Sequence, residues 1–289
     1  MRVIGFTAVL NGVALGYPFI ESILSALPLV DEFWIADGGS TDETVQTIAR
    51  LAKAFPGHIV LHFIPWVKSK YWAGYDAVLS ELIDRAADGE DWMFEVQGDE
   101  FYHEKDLDAW AGMIRYADRN RLNSIRGISK NYKWDRRDKY DYFNVRLFRK
   151  IPGVHSRWGG DDFQVGEERA PRDGFTSHNV PPEIVIGLET FHMHRLFPMN
   201  QLEQDRTNTE YCGGAGTRKE AYERSKQVNW AAIKPPKPED VMDCLPAIIK
   251  GMSQETLYRV RDELFDPTWL TKETGVDYAS IANRSIQRL

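Results

Sequence analysis

The chain has 289 residues, of which 43% are hydrophobic and 27% are charged, values that are ordinary for a folded globular protein and that exclude a disordered chain. Its formal net charge of −7 argues against a general affinity for nucleic acid, because such binding needs many Lys and Arg side chains at the phosphates. The two cysteines, Cys212 and Cys244, match no zinc spacing and favour a reducing, cytoplasmic setting. We expect no membrane span, since no apolar run is long enough to cross a bilayer.

The first hundred residues alternate between strand-like apolar runs and amphipathic helical stretches. Such alternation is typical of an α/β fold, in which helices flank a mostly parallel sheet. Because the connections are right-handed, the carboxyl ends of the strands share one edge of the sheet, where ligands bind. The predicted strands are 3–10, 31–36, 58–65 and 91–97, and the predicted helices are 17–27, 41–54 and 72–87.

Beyond residue 100 the alternation weakens. A predicted helix at 107–120 leads into aromatic and basic loops, and strands are expected at 142–148 and 183–190. From about residue 201 the pattern is mostly helical, with interruptions at CGGAG and PPKP. We therefore expect one α/β domain over 1–200, with halves 1–100 and 101–200, followed by a helical extension over 201–289.

The segment FWIADGGSTDET places a carboxylate directly after the second strand. Asp37 is followed by Gly38 and Gly39, which allow a tight turn, and by the residues Ser40 to Asp42, which can cap a helix. A carboxylate held there can accept hydrogen bonds from the imide of uracil or from a comparable base edge. Capping explains part of the pattern, but Asp37 before two glycines is harder to explain as a cap.

The segment FEVQGDEFYHEKDL ends the fourth strand with two adjacent carboxylates, Asp99 and Glu100. They would repel each other unless a cation or a basic group compensates them. A divalent metal is one solution, because Mg²⁺ and Mn²⁺ take oxygen ligands from one or two carboxylates and share the remaining positions with substrate phosphates. Taken alone, an acidic pair at a strand end is more often an exposed turn.

Together, FTAVLNGVALGYPFIESILSALPLVDEFWIADGGSTDET and DWMFEVQGDEFYHEKDL, in this order and each after a strand, resemble the family 2 glycosyltransferases. These enzymes have the GT-A fold. The resemblance covers the first 110 residues and extends toward residue 200. It implies a nucleotide-sugar half at 1–100, an acceptor half at 101–200, a nucleotide diphosphate-sugar donor, with UDP favoured, and Mn²⁺ or Mg²⁺ as cofactor.

By this resemblance, Asp37 binds the donor base, and Asp99 and Glu100 belong to the metal-binding Asp-x-Asp element. Gln97 stands where the first aspartate of that element would be, so the chain is similar to a subgroup with a Gln-x-Asp-Glu variant. Asn11 matches the position of an Asn-Glu pair near the nucleotide, although the glutamate is absent here.

A third metal ligand in such enzymes is frequently a downstream histidine, and FHMHR offers His192 and His194. Alternate residues of an extended chain point the same way, so both imidazoles could face one site. The resemblance favours His192, while a polar strand edge is the alternative. Arg195 could bind the diphosphate bidentately, and Lys70 could contribute to the donor phosphates.

Inverting transfer needs a base for the acceptor hydroxyl, and family members use a carboxylate in a loop after the metal motif. Asp161 and Asp162, in RWGGDDF, fit this catalytic role, and the choice between them stays open. The two preceding glycines let the backbone approach a ligand, and Trp158 could stack on a sugar face. A solvated acidic turn is the alternative.

The acceptor stays open between a glycan, a protein, a small molecule and a modified nucleic acid base. The aromatic and basic run at 130–140 is one candidate contact, and an exposed, solvated loop is its alternative. Two other functions stay open for the scaffold. A nucleotidyltransferase would want a basic, glycine-rich loop that NGVALGY does not supply, and a non-catalytic nucleotide- or sugar-binding protein is conceivable because of Gln97. The sequence does not indicate an oligomeric state.

Overall fold

The computed structural model describes most of the first 165 residues and three later segments. The described residues are 1–68, 73–87, 91–133, 136–137, 142–157, 160, 162–165, 183–192, 247–249 and 260–284.

The alternation predicted for the first hundred residues is confirmed. The strands are β1 (Arg2–Val9), β2 (Glu32–Asp37), β3 (Ile59–Phe63) and β4 (Asp91–Glu95), and the helices are α1 (Phe19–Ala26), α2 (Thr44–Ala54) and α3 (Ala73–Asp84). β4 is buried along its whole length and β1 along all but its first residue, as expected for strands covered by helices on both faces.

One sheet organises the described chain, in the order β3-β2-β1-β4-β8-β6-β11-β5, with β7 paired to β6. Six of the eight strands on this path run in the same direction, and β8 and β5 oppose them. The expected α/β fold class with a mostly parallel sheet and flanking helices is confirmed. The later elements are β5 (Glu100–Phe101), α4 (Leu107–Arg119), β6 (Ser124–Lys133), β7 (Arg136–Arg137), β8 (Tyr142–Arg149), β9 (Val154–Arg157), β10 (Asp162–Val165) and β11 (Glu183–His192). β9 and β10 form a separate two-stranded sheet.

The order of the strands reverses at β1. The chain places β2 and β3 on one side of β1 and then returns to add β4 on the other side. In open α/β sheets, ligands bind outside the carboxyl ends of the strands at such a switch point.

The prediction of loops after the helix at 107–120 is wrong, because β6 occupies Ser124–Lys133 in the middle of the sheet. The composition of β6 makes this strand hard to recognise. Ser124 and Arg126 are polar, yet both are buried, because β8 and β11 flank β6 on both sides. The basic run also differs from the expected loop. Its first residues complete β6 and pair with Arg136 and Arg137 of β7.

Hydrophobic residues fill both faces of the sheet. The α1-side core lies under α1, α2 and α4 and includes Phe19, Ile23, Phe33, Leu51, Phe55, Trp92, Phe94, Trp110 and Leu147. The α3-side core lies under α3 and includes Phe6, Tyr75, Leu79, Leu82, Met93, Val145, Phe148 and Phe163.

The described C-terminal residues are helical and pack on the α1-side core. They comprise 3-10 turns at Ala247–Ile249 and Asp262–Phe265 and the helices α5 (Pro267–Thr274) and α6 (Tyr278–Asn283). The Tyr278 hydroxyl donates a hydrogen bond to the Leu24 carbonyl at 2.6 Å, and its ring contacts that of Phe55. Among the helices that the structure describes, none combines the length and apolar character needed to cross a bilayer.

Candidate functional site

Polar side chains gather where β2 and β4 end, on either side of β1. Asp37, the last residue of β2, is paired with Val9, and Glu95, the last residue of β4, is paired with Phe6. Because adjacent strands lie about 4.8 Å apart, β2 and β4 are about 10 Å apart across β1. The turns that follow these two strands therefore lie at the same edge of the sheet.

Asp37 organises the turn after β2. The residue is 3% exposed, and its Oδ2 accepts hydrogen bonds from the backbone N–H groups of Gly39 at 3.0 Å and Ser40 at 3.1 Å. Asp37 therefore caps backbone amides, although the two glycines that follow it made a capping role less expected from the sequence. A carboxylate can accept about four hydrogen bonds, so this role leaves capacity for a ligand.

Gly38 is tightly packed. A Cβ added there would lie 3.0 Å from the Trp66 Cβ and 3.3 Å from the Leu10 Cβ. The Trp66 backbone N–H also donates to the Gly38 carbonyl at 2.9 Å. Gly38 thus lets the segment after β3 pack directly on the Asp37 turn.

Asn11 joins the loop after β1 to the turn after β2. Its side-chain oxygen accepts a hydrogen bond from the Thr41 N–H at 2.8 Å, and its own N–H donates to Ser40 Oγ at 2.8 Å. Asp42 Oδ2 accepts a further hydrogen bond from the Ala14 N–H at 2.7 Å. Asn11, which adopts a positive φ of 50°, therefore shapes the predicted nucleotide edge by fixing two loops to each other.

The acidic turn at 97–100 is held from α1. Ser22 Oγ donates to the Gln97 carbonyl at 2.6 Å, and a Cβ added at Gly98 would lie 3.3 Å from the Phe19 Cβ. Within this turn Gln97 and Asp99 are partly exposed, whereas Glu100 is buried. The two adjacent carboxylates thus face different environments.

Glu100 is compensated by a basic group. The residue is fully buried, its Oε1 lies 2.6 Å from Arg146 Nη2, and its Oε2 lies 2.8 Å from Arg146 Nε. Both oxygens are engaged in a bidentate pair of the kind that Arg forms with carboxylates. Asp99 is the partly exposed carboxylate of this turn.

Arg146 contacts two further groups. Its Nη1 lies 3.1 Å from Glu95 Oε2 and donates to the Gly160 carbonyl at 2.7 Å. Neither Glu95 nor Arg146 was predicted from the sequence as a site residue. The available signal was a charged residue inside an otherwise apolar strand, in WMFEV and in VRLF, because such a residue is seldom buried without a partner.

The register of the sheet brings the predicted histidine segment to the acidic turn. β11 pairs with β5 so that His192 is opposite Glu100, and with β6 so that His192 is opposite Asn131. The backbone of His192 therefore lies beside the residue that follows Asp99.

The remaining predicted site residues have different outcomes. Asp162 is the first residue of β10 and pairs with Arg157. Lys70, Asp161, His194 and Arg195 lie outside the described residues.

Tyr75 and Trp66 link the two turns. Their rings are 4.8 Å apart, and Trp66 packs on Gly38 while Tyr75 lies near Glu95. Burial, reinforced by the negative charge of Glu95, raises the pKa of the Tyr75 hydroxyl well above its usual range. Tyr75 therefore stays neutral at physiological pH.

Among the described residues, the carboxylates of Glu95, Asp99 and Asp76 and the guanidinium of Arg146 all act on the Tyr75 hydroxyl, and Glu100 pairs with Arg146. Within this described group, negative charges outnumber positive ones, which favours binding of a positive ion. Within the described part of the chain, no three His, Cys, Asp or Glu side chains are placed to share a metal. Mg²⁺ and Mn²⁺ can bind through one or two protein carboxylates together with substrate oxygens.

No protein-family model matches the chain, and no curated protein matches its sequence. Among solved structures it is similar to S. aureus TarS, with 11% identity over 98% of this chain and 55% of TarS and a TM-score of 0.40. A complex of S. aureus TarS 1–349 with UDP-GlcNAc matches with 16% identity over 46% of this chain and 35% of the other, with a TM-score of 0.33. The mannosyltransferase PcManGT from Pyrobaculum calidifontis, in complex with GDP-Man and Mn²⁺, matches with 18% identity, covers 44% and 35% of the two chains, and has a TM-score of 0.35. The chain thus spans little more than half of TarS and about a third of the other two.

Proposed function

We propose that this chain is a metal-dependent, inverting glycosyltransferase that moves a sugar from a nucleotide diphosphate-sugar to an acceptor hydroxyl. One observation carries the proposal: the Asp37 turn and the partly exposed Asp99 lie at the same carboxyl edge, where the strand order reverses at β1. A nucleotide that spans this edge can place its base at one turn and its diphosphate at the other.

The donor base is assigned to the Asp37 turn. Asp37 retains acceptor capacity beyond its two backbone N–H donors, which suits the imide N–H of a uracil and makes a uridine nucleotide the favoured donor. The hydrogen bonds between Asn11 and the turn at 40–41 support a fixed shape for this edge before any ligand binds. Lys70 and Arg195 are assigned to the donor phosphates, because Arg can bind a diphosphate bidentately and Lys also binds phosphate.

The metal is assigned to Asp99, with His192 as a second ligand. Asp99 is partly exposed, and the backbone of His192 lies beside Glu100, whereas the Glu100 carboxylate is occupied by Arg146. Glu100 is therefore left out of the proposed ligand set. A bound Mn²⁺ or Mg²⁺ supplies Lewis-acid stabilisation of the charge that develops on the leaving diphosphate.

The acceptor proton is assigned to a carboxylate of the loop that contains Gly160. Asp161 or Asp162 removes this proton as general base while the hydroxyl oxygen attacks the anomeric carbon. The bond from that carbon to the nucleoside diphosphate breaks, the diphosphate leaves with the bonding electrons, and the configuration is inverted. The position of Gly160 supports this assignment, because a Cβ added there would lie 2.8 Å from Glu95 Oε1 and 3.4 Å from Gln97 Nε2. Gly160, the neighbour of Asp161 in sequence, therefore lies at the edge that carries the acidic turn.

The test is release of nucleoside diphosphate from a panel of nucleotide-sugars, with and without Mn²⁺. We expect slow, metal-dependent release without acceptor, and we expect Asp99→Asn to reduce it by about 100-fold or more, since it removes the principal metal carboxylate. Asp108→Asn, an exposed aspartate of α4, is the matched control and should leave release unchanged.

Three outcomes would contradict the proposal. Release that does not depend on the metal, or that survives Asp99→Asn, removes the metal assignment. Binding of a nucleotide-sugar without any release indicates a non-catalytic binding protein. Formation of a nucleotide-sugar from a nucleoside triphosphate and a sugar phosphate indicates a nucleotidyltransferase.

A further inference from the structure

The position of Arg146 depends on an irregularity in β8. β6 and β8 pair with Ile125 opposite Leu147 and then with Arg126 opposite Val145, so Arg146 is an extra residue without an opposite on β6. This is a β-bulge, a feature that redirects side chains and is frequent beside active sites. In a regular strand, residues 145 and 147 would face the same side of the sheet. Here Leu147 belongs to the α1-side core and Val145 to the α3-side core, so the bulge has reversed the alternation.

Redirected in this way, Arg146 joins three separate elements. It contacts Glu95 at the end of β4, Glu100 after the acidic turn, and the Gly160 carbonyl in the loop between β9 and β10. The Arg146 side chain is 2% exposed, so its charge is stabilised by these contacts. The planar guanidinium can serve several acceptors at once, which a lysine ammonium at the same place cannot do with the same geometry.

Gly160 is held from its other side by α3. Its N–H donates to Asp76 Oδ1 at 3.2 Å, and the same oxygen accepts a hydrogen bond from Ser156 Oγ at 2.8 Å. Ser80 on the next turn of α3 accepts from the Ser156 N–H at 3.0 Å. Gly160 also has a φ of +81°, a conformation that a residue with a Cβ rarely adopts.

Both hydrogen-bonding groups of the Gly160 backbone are thus fixed by charged side chains from different elements. Gly160 itself lies against Glu95 and Gln97, directly beside the acidic turn. Loops that carry catalytic groups are usually positioned by a rigid scaffold. Here Arg146 of β8 and Asp76 of α3 bind the Gly160 backbone directly.

We propose that Arg146 and Asp76 are positioning residues: they clamp the Gly160 loop onto the acidic turn and fix its distance from Asp99. The inference rests on the proposed function, because the clamp fixes the distance between Asp99, the proposed metal ligand, and Gly160, the neighbour of the proposed base. It adds to that function two residues that touch neither the donor nor the metal.

The kinetic test compares Arg146→Lys and Asp76→Ala with matched controls. We expect each variant to lower kcat for metal-dependent release by about 100-fold while KM for the donor changes less than about threefold, because misplacing a group by about 1 Å costs that much in rate. Arg149→Lys on the same strand and Asp84→Ala on the same helix should stay within about twofold of the wild type, since their ion pairs, with Asp118 and Lys150, lie outside the clamp.

Hydrogen exchange of the Gly160 amide provides a readout that does not need turnover. The amide should be protected in the wild type and should exchange at least about 10-fold faster in Asp76→Ala, which removes its acceptor. Asp76 is only partly buried, so this variant is expected to fold even if Arg146→Lys does not.

The outcomes separate the two proposals. A folded Asp76→Ala protein with unchanged kcat overturns the positioning role and leaves the glycosyltransferase proposal intact. A wild-type protein with a protected Gly160 amide but no metal-dependent release overturns the proposed function, and the positioning role is lost with it. Unprotected Gly160 in the wild type overturns the clamp directly.

Discussion

The first half, residues 1–100, and the strands that follow it position charged residues differently. In the first half, Asp37 ends β2 and Asp99 lies in the turn directly before β5. In the later region, Arg126 and Arg146 lie buried within β6 and β8. Apolar periodicity is sufficient to recognise the first arrangement. The second depends on partners that are distant in sequence, so it is evident only in three dimensions.

The largest effect that would test this contrast is expected from Arg146→Met. The change leaves two fully buried carboxylates, Glu95 and Glu100, without their shared cation, and breaking a buried pair in this way costs about 3–5 kcal/mol. Urea denaturation of the variant should show a correspondingly lower free energy of unfolding.

Arg149→Met on the same strand is the control for this prediction. Its pair with Asp118 is partly exposed, so the expected loss is only about 1 kcal/mol. Equal losses of unfolding free energy for the two variants would mean that the buried ion pairs of Arg146 contribute no more to stability than the partly exposed pair of Arg149. The contrast between the two regions would then disappear.

Substitution of two glycines, one in each region, is expected to cause intermediate losses of stability. A Cβ added at Gly5 would lie 2.5 Å from the Phe33 ring, and one at Gly127 would lie 2.8 Å from the Trp110 ring and 3.2 Å from the Leu188 carbonyl. Overpacking of this kind costs about 1–3 kcal/mol. We expect Gly127→Ala to cost more in thermal or urea unfolding, because its neighbours include backbone as well as a ring.

Gly112→Ala, in α4, is the control for both glycines, since the nearest atom to an added Cβ is a flexible Arg115 nitrogen at 3.9 Å. An alanine there should be neutral or should stabilise the helix by up to about 1 kcal/mol. If Gly127→Ala behaved like Gly112→Ala, the packing of Trp110 under β6 would be wrong.

The fold of the first half was predictable because its strands are mostly apolar and α2 has apolar residues at helical spacing on one buried face. β6 was not predictable, since a strand that contains Ser124, Arg126 and Lys130 has no apolar signal of its own. Its place is set by hydrogen bonding to β8 and β11 on both sides.

The candidate site shows the same division. The sequence indicated Asp37 and Asp99, and it indicated that the charge of the Asp99–Glu100 pair needs compensation. It could not indicate that an arginine 46 residues beyond Glu100 provides the compensation, because that depends on a bulge in β8. Which histidine binds metal and which aspartate acts as base stay predictions.

The smallest expected effect concerns the C-terminal helices, which contact the first half of the chain. Tyr278 is buried and donates to the Leu24 carbonyl at 2.6 Å, so Tyr278→Phe should cost about 0.5–1.5 kcal/mol in urea unfolding. Tyr116→Phe is the control, because Tyr116 is 49% exposed on α4 and should change stability by less than about 0.5 kcal/mol. A single transition that shifts for Tyr278→Phe would mean that the C-terminal helices and the sheet unfold together, since the lost bond joins α6 to α1. A separate early transition, with the main one unchanged, would instead assign the C-terminal segment its own folding unit.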